Sequence, residues 1–556
     1  MNKPAPLAGR VAGAAALIAV LTVVSRLAGF GRAGVFTWTL APTDLGGAYV
    51  VANNLPNFIF EIVAGGALAS LVVPLLAGAV EAGDRRAVAA TTGALLTWVL
   101  ALLVPLALLV ALLADPLVSL QGSGLSELQR EVGARMLRVF APQLPLYGVG
   151  IVLTGVLQAH RRFAWPVIAP LLSSVTVIAV YLGFTAVEGP LATVARAGRG
   201  GELLLSGGTT LGVVVLSLSL LIPLRRLRLP LRPGFRFPAE ARARVGALAV
   251  AGVVTVTAQQ IALMVGLNQV SYGSEASPGI YNLAQTIYFL PWAVLAVPLA
   301  VAAYPTLAAA RAAGDERTYQ QTLAPAVRGV VLFSLLGAAA LVGTAVPVGH
   351  FFLPSDVAGP AAAAIAGFAP GLVGYGLFAV LTRALYARGE TRSATVATAV
   401  GWLTVPVLAV LLGRLLPLAD RVLAVALATS AGMLVLGALL IAAVLRTAGR
   451  AALAGLGRAG AAGLLAAVVA GLGGAVTSRW LAGLGTPTAA QALLQGMLSG
   501  AVVGALFLAV AWLTDARDVR PLLTAVARRL RRRPRTGTPE EQRPTGRGDG
   551  KETVTS

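Results

Sequence analysis

PLLAGAVEAGDRR, at residues 74–86, is repeated later in the chain as PTLAAARAAGDER, at residues 305–317. At this offset of 231 residues, eight of the thirteen positions are identical, although several of the matches are alanine in an alanine-rich chain. The shared Gly-Asp-x-Arg turn is therefore the stronger signal. We interpret the pair as an internal repeat, with a chance likeness between two amphipathic turns as the alternative.

Composition places this repeat in a membrane protein. The 556 residues are 57% hydrophobic and 12% charged, with a mean hydropathy of +0.82. A soluble fold has too little interior to bury that much apolar surface. A transmembrane helix needs ~20 apolar residues, and with its loop it takes roughly 38, so the length allows about fourteen spans. The composition excludes a soluble protein, and the length excludes a single-span receptor.

The apolar runs predict an all-α polytopic membrane protein with about fourteen transmembrane helices. Alanine, glycine and proline are common in these runs, which suits close helix packing in lipid, and the alternation typical of a β-barrel is absent. The first run is interpreted as an uncleaved span, because no small-residue cleavage site follows it. The runs lie at 11–40, 46–79, 88–115, 132–157, 164–186, 203–223, 244–271, 278–309, 321–348, 359–386, 392–415, 420–445, 456–478 and 489–514.

Arginines between the runs predict the orientation of the chain. Lys and Arg are retained on the cytoplasmic side of a membrane, and with the N-terminus inside, the arginine-rich loops all lie on that side. The loops at 41–45, 272–277 and 349–358 contain neither Lys nor Arg and are expected outside. We therefore expect a multi-pass protein of the bacterial plasma membrane, with both termini in the cytoplasm.

The repeat also divides the chain into domains. An offset of six spans preserves orientation, so we expect two six-helix lobes related by a pseudo-twofold axis along the membrane normal. Residues 1–240 form the N-terminal lobe with spans 1 to 6, residues 241–450 form the C-terminal lobe with spans 7 to 12, and residues 451–515 add two helices. Residues 516–556 are arginine-rich and then polar, which predicts a basic, disordered cytoplasmic tail.

Few residues are available for catalysis or for binding metals. The chain has no cysteine and only two histidines, His160 and His350, and its acidic residues lie mostly in loops. We therefore expect no enzyme, no catalytic residue, no cofactor and no metal site, with a membrane glycosyltransferase or a non-transporting scaffold as less favoured alternatives. The formal charge of +21 is explained by cytoplasmic loops, so no nucleic acid partner is expected.

Polar side chains within the apolar runs are the candidate functional residues, because they are costly in lipid unless they face a cavity or a partner. The first run contains SRLAGFGRAG at residues 25–34, with Ser25, Arg26 and Arg32. Guanidinium groups bind phosphate or pyrophosphate bidentately and stay charged. The alternative is an interfacial arginine that extends to the headgroups. Glycines between the two arginines allow a bend that would bring both to one cavity.

The second run contains DLGGAYVVANNLPNFIFEIVAGGA at residues 44–67. Asn53 and Asn57 flank a proline, and their amides would bind a hydroxylated ligand or satisfy carbonyls that the proline frees. Asp44 begins the run and is interpreted first as a helix cap, with ligand binding as the less favoured role. Glu61 should be protonated or paired in this environment, and its nearest predicted cations are Arg26 and Arg32.

The corresponding spans of the second lobe carry neutral polar groups. These side chains can hydrogen-bond a ligand but cannot neutralise a phosphate, and hydrogen bonding between helices is the alternative role. The candidates are Gln259, Gln260, Asn282 and Gln285.

SRLAGFGR (25–32), NNLPNF (53–58) and GGALASLVVPLLAG (65–78) occur in an order that resembles the start of the lipid II flippase family, MurJ/MviN, within the multidrug/oligosaccharidyl-lipid/polysaccharide exporter superfamily. The resemblance implies a flippase for a lipid-linked peptidoglycan precursor in cell-wall biosynthesis. It also implies that Ser25, Arg26 and Arg32 line a central cationic cavity. The family's aspartate near the start of span two resembles Asp44, and its Leu-Pro-Asn resembles the stretch that ends at Asn57. The implied partners are a lipid-linked anionic glycan, membrane lipids and, as further candidates, cell-wall synthesis proteins.

Two positions depart from the family's pattern. Phe60 and Glu61 stand where the family commonly has arginine after Leu-Pro-Asn, and Gln285 and Thr286 stand where it has Asp-Arg in span eight. The alternatives are therefore an exporter of another lipid-linked oligosaccharide or a multidrug or cation antiporter of the same superfamily. An antiporter needs a membrane carboxylate that exchanges ions, and only Glu61 is clearly placed for that role.

Overall fold

The computed structural model describes residues 6–235, 246–483, 485 and 487–514, and these residues are helical with connecting turns and no β-strand. The helices are α1 (Pro6–Thr39), α2 (Asp44–Phe60), α3 (Gly66–Glu81), α4 (Arg85–Leu112), α5 (Ala114–Gln121), α6 (Glu127–Phe140), α7 (Gln143–Ala159), α8 (Ala164–Glu188), α9 (Arg199–Leu218), α10 (Leu221–Arg225), α11 (Gly246–Val270), α12 (Ser277–Pro291), α13 (Val297–Ala312), α14 (Glu316–Phe352), α15 (Ser355–Phe368), α16 (Gly371–Ala387), α17 (Thr391–Leu415), α18 (Arg421–Ala448), α19 (Leu456–Ala482) and α20 (Ala489–Thr514).

The helices coincide with the apolar runs of the sequence. Within the described residues, ten helical segments are long and apolar enough to cross a membrane, and two pairs bent by 41° and 43° raise the number to twelve. The first two predicted runs coincide with α1 and with the continuous helical stretch 44–81. The prediction of an all-α, multi-pass membrane protein is confirmed. The predicted tail at 516–556 lies outside the described residues.

Backbone geometry repeats at the offset found in the sequence. Gly83 and Gly314 have φ values of +68° and +69°, and the aspartate after each one caps the next helix. Asp84 accepts hydrogen bonds from the first backbone amides of α4, and Asp315 accepts one from the Thr318 amide of α14. The hydrogen bond from the Thr318 hydroxyl is the main reason that the pKa of Asp315 lies below its ordinary value.

A second shared feature lies upstream of these turns. A π-helical turn, Glu61–Gly65, joins α2 to α3, and another, Trp292–Ala296, joins α12 to α13. Their first residues are again 231 positions apart. A π turn is rare and often marks a functional site. Its recurrence at the repeat offset supports the interpretation of the two stretches as an internal repeat.

Helix packing follows the order of the chain. Near the N-terminus, α1 packs on α8, α2 on α6, and α3 and α4 on α7. Further on, α11 packs on α17, and α18 packs on both α16 and α17. The 37-residue helix α14 packs along α19 and α20, which attaches these last two helices to the second group.

The two groups of helices meet closely at the loops predicted to lie outside. A Cβ on Gly279 would lie 2.0 Å from the Ala41 carbonyl oxygen, and one on Gly47 would lie 2.6 Å from the Glu275 carbonyl oxygen. The Trp38 indole also donates a 3.0 Å hydrogen bond to the Phe351 carbonyl. Only glycine lets two backbones approach this closely. We call these contacts the outer seal.

Candidate functional site

The position of Arg26 follows from the face of α1 that meets the second group of helices. Phe30, Gly34 and Trp38 recur at four-residue spacing and all contact the end of α14, where Phe30 and Phe352 have ring centroids 6.1 Å apart. Arg26 lies one turn before Phe30 on the same face, and its side chain is exposed. That Arg26 faces the space between the lobes, on the cytoplasmic side of the outer seal, stays a prediction from this helical spacing.

Arg32 is also exposed but lies toward the interior of the N-terminal group. Its charge acts on the buried hydroxyls of Tyr49 and Tyr181, which are 2.8 Å apart. Helix α1 is continuous through the glycines between the two arginines. The two guanidinium groups therefore keep the roughly 120° separation of a regular helix. Ser25, next to Arg26, is half-buried.

The amides of α2 mainly satisfy their own helix. Asn54 donates to the Val50 carbonyl at 2.8 Å, and Asn57 donates a longer bond of 3.4 Å to the Asn53 carbonyl. The helix continues through Pro56. The Asn53 side-chain oxygen is buried with no hydrogen-bond partner in the part of the chain that the structure describes. It is an acceptor that a donor from a ligand or a water could satisfy.

Asp44 has a different role from the helix cap that the sequence suggested. The cap of α2 is Thr43, whose hydroxyl accepts a bond from the Gly46 amide at 3.0 Å. The Asp44 carboxylate accepts from the Val194 amide at 2.9 Å and so fixes the loop after α8 to the start of α2. The prediction of the cap was wrong by one residue, because both residue types can cap and sequence does not separate them.

Glu61 lies in a cavity of about 460 Å³ inside the N-terminal group of helices. The cavity is bounded by α2, the π turn, α3, α7, α8 and α9, and its polar lining includes Asn57, Tyr147, Thr154, Gln158 and Ser217. Glu61 forms no ion pair within the described residues. The predicted pairing with Arg26 or Arg32 was therefore wrong. Glu61 opens the π turn and faces α7, whereas the arginines project from α1.

Three polar residues that line this cavity were missed in the sequence. Tyr147, Thr154 and Gln158 lie on α7 at spacings of seven and four residues, which places them on one helical face. The pattern was visible in the otherwise apolar run QLPLYGVGIVLTGVLQA at residues 143–159. A search for polar residues at helical spacing, besides charged ones, would have found it.

An aromatic cluster in the C-terminal group of helices surrounds the start of the second π turn. Tyr288, Phe289, Trp292, Tyr375 and Trp402 pack together, and the space left among them is about 10 Å³, enough for a single water.

The neutral candidates of the second lobe do not meet in a common cavity. Gln285 borders the small space and donates to the Tyr281 hydroxyl at 3.2 Å, a bond within its own helix. Gln260 is buried, whereas Gln259 and Asn282 are half-buried. Of these four side chains, only Gln285 lines the small space among the aromatic residues.

The family model for the lipid II flippase MurJ matches residues 39–490, which is most of the chain. This chain belongs to the lipid II flippase MurJ family. The match includes α2, the outer seal's loops and both π turns, whereas Ser25, Arg26 and Arg32 of α1 precede it. The resemblance found at the start of the sequence is therefore confirmed over most of its length.

Two curated relatives have the same description. A probable lipid II flippase MurJ of Synechocystis is 29% identical over 234 residues, covering 41% of this chain and 43% of the relative. The lipid II flippase MurJ of Burkholderia cenocepacia is 26% identical over 386 residues, covering 67% of this chain and 72% of the relative. The first match thus spans less than half the length of the cyanobacterial protein.

Solved structures share the fold. A lipid II flippase MurJ in an inward closed conformation matches with a TM-score of 0.69 and 18% identity, covering 91% of this chain and 99% of that one. An inward-facing multidrug resistance MATE family transporter of the MOP superfamily matches with a TM-score of 0.62 and 17% identity, covering 77% and 94%. At these identities the likeness shows the fold alone. The fold is that of the MurJ and MATE transporters.

Proposed function

We propose that this protein translocates lipid II, a lipid-linked peptidoglycan precursor, from the inner to the outer leaflet of the bacterial plasma membrane. The observation that supports this most is the membership of residues 39–490 in the lipid II flippase MurJ family. Arg26 gives the proposal a chemical basis, because its guanidinium is exposed and is expected to face the space between the lobes. A guanidinium fork matches the oxyanions of a pyrophosphate. Ser25, Arg26 and Arg32 are the proposed anion-binding residues.

Alternating access is the proposed mechanism. The outer seal closes the space between the lobes on one side, so lobes rocking about Arg26 would open that side and close the other. The domain boundaries at residues 240 and 450 are part of this proposal.

The energy of one charge crossing the membrane potential is about 2.3 kcal/mol per 100 mV, so an inside-negative potential would help an empty cationic cavity return to face the cytoplasm. The reaction makes and breaks no covalent bond.

A cation or drug antiporter is the second candidate. It is supported by the fold shared with a MATE transporter and by Glu61 in its own cavity within the N-terminal lobe. The family match favours the flippase, because it covers most of the chain.

Purified protein in liposomes would test the two functions side by side. We expect the protein to move fluorescent lipid II across the bilayer and to leave a cationic dye on the side where it was added. Liposomes without protein and liposomes with heat-denatured protein are the controls. Dye transport in the absence of lipid II movement would replace the flippase with the antiporter.

We also propose that both termini are cytoplasmic, as the loop arginines predict. Reporter fusions after Ser271, at the end of α11, and after Arg317, at the start of α14, should report opposite sides, outside for the first and inside for the second. The reason is that α12 and α13 form one span between these points. An identical signal from both fusions would contradict the orientation and the parallel relation of the two lobes.

A further inference from the structure

One ionisable side chain of the N-terminal lobe, Glu61, belongs neither to the outer seal nor to the proposed anion-binding residues. Glu61 is partly buried and lines the cavity of about 460 Å³ between α2, α3, α7, α8 and α9. Its neighbours in the lining are amides, hydroxyls and apolar groups. The cavity has room for water beside the carboxylate, and its polar groups could hold such water in place.

No cation compensates Glu61 in the part of the chain that the structure describes. Tyr147 is the one other titratable residue in the lining, and α11, which packs against the π turn, carries no titratable residue in its sequence. His160, near the cavity at the end of α7, holds a ring nitrogen 2.8 Å from the Val156 carbonyl of its own helix. An unpaired carboxylate is costly at membrane depth, so it binds a proton or another small cation there.

We propose that Glu61 is a proton-binding site in the N-terminal lobe and that it gains and loses a proton during the transport cycle. The proposal rests on the proposed transport function for its link to the cycle. The step is a simple exchange in which one carboxylate oxygen bonds a proton from water and later returns it to water. A proton suits this donor set, because a single carboxylate among neutral groups cannot offer the several charged ligands that divalent cations prefer.

The position of the cavity indicates the side with which Glu61 exchanges its proton. Gln158, Pro166 and Leu220 in the lining lie within a few residues of the loops 160–163 and 219–235, which are predicted to be cytoplasmic. The outer seal lies at the loops predicted to be outside, between the two lobes, and its residues do not line this cavity. In this conformation the proton therefore passes between Glu61 and the cytoplasm, and rocking of the lobes would move the exchange to the outer side.

The position equivalent to Glu61 in the other lobe carries no acid. At the repeat offset of 231 residues, Glu61 corresponds to Trp292, whose indole donates to the Tyr375 carbonyl at 3.1 Å inside the aromatic cluster. The π turn is kept in both lobes, but only the N-terminal copy carries an acid. One molecule would thus carry one such proton per cycle.

Infrared difference spectroscopy tests the binding of the proton directly. Purified protein in liposomes is moved between acidic and alkaline buffer, and the carboxylic acid band is recorded for the wild type, Glu61→Gln and Glu81→Gln. Glu81 is an exposed acid at the end of α3 and serves as the matched control. We expect Glu61→Gln to lose a band that Glu81→Gln keeps. Identical spectra for all three proteins would overturn the site, whether or not the protein moves lipid II.

A transport assay then tests the coupling. With the membrane potential clamped, we expect a pH gradient to change the rate of lipid II translocation by the wild type and by Glu61→Asp, and to have no effect on Glu61→Gln. Gradient dependence that survives in Glu61→Gln would overturn the coupling. If the transport rate of the wild type depends on Na⁺ at constant pH and Glu61→Gln abolishes that dependence, Na⁺ would replace the proton as the ligand. Absence of lipid II movement in the wild type would instead overturn the proposed function and leave the infrared result standing.

Discussion

Replacing Arg26 by alanine should lower the rate of lipid II translocation by about 100-fold or more, because hydrogen bonds to charged groups are worth ~1.5–3 kcal/mol each and a bidentate fork makes two of them. Arg26 is exposed, so its loss removes a proposed ligand for the pyrophosphate without opening a hole in a packed core. The measurement is the translocation rate in liposomes at equal protein content.

Two further variants separate geometry from charge. Arg26→Lys should recover only part of the rate, because an ammonium is a point charge that cannot reproduce the fork. Arg86→Ala removes an exposed arginine from the repeated turn and should leave the rate unchanged. A wild-type rate in Arg26→Ala would remove this residue from the anion-binding site and would favour the antiporter.

Replacing Gly279 by valine should prevent the outer seal from closing and lower transport by about tenfold or more, since ~1.4 kcal/mol in the balance between conformations is a factor of ten. A Cβ at this position would lie 2.0 Å from the Ala41 carbonyl oxygen, which is backbone and cannot rotate away. The lobes should therefore favour the arrangement in which this side is open.

The absence of cysteine from the chain makes this shift measurable with one added thiol. Ser271 is 1% exposed beside the outer seal, where its hydroxyl accepts a hydrogen bond from the Gly124 amide of the other group of helices at 3.2 Å. A Ser271→Cys reporter should therefore react slowly with a water-soluble maleimide added outside and faster when Gly279→Val is also present. Gly359→Val is the matched control, because nothing lies within 4 Å of a Cβ at that position. Equal labelling and equal transport in both valine variants would show that the close approach at Gly279 does not control the seal.

The sequence was sufficient for the helices and for the repeat. Apolar runs of spanning length have one stable form in lipid, because every backbone amide must be satisfied within its own segment. The Gly-Asp-x-Arg turn predicted the relation between the halves because glycine at positive φ and an aspartate cap are both local requirements. Gly83, Asp84, Gly314 and Asp315 meet those requirements in the structure.

The surroundings of the candidate residues could not be predicted in the same way. A helical wheel assumes one continuous α-helix, and the π turn that begins at Glu61 breaks that assumption. The cavity in one lobe and the aromatic cluster in the other depend on contacts between distant helices, such as Trp292 with Tyr375. Apolar and aromatic residues look alike in hydropathy, so the pattern did not distinguish a hollow lobe from a filled one.

The shared π turns bear on the ancestry of the protein. Four of their five side chains differ, with EIVAG in one half and WAVLA in the other, while the backbone form and its place in the chain are the same. Backbone form has therefore outlasted side-chain identity since the halves diverged. Because six is an even number of spans, a second copy of a six-span subunit would begin on the same side of the membrane as the first. Head-to-tail duplication of its gene would therefore give two lobes with the same orientation. Such an origin would start from a symmetric pair of identical subunits, and in the present chain one π turn borders a cavity while the other borders an aromatic cluster.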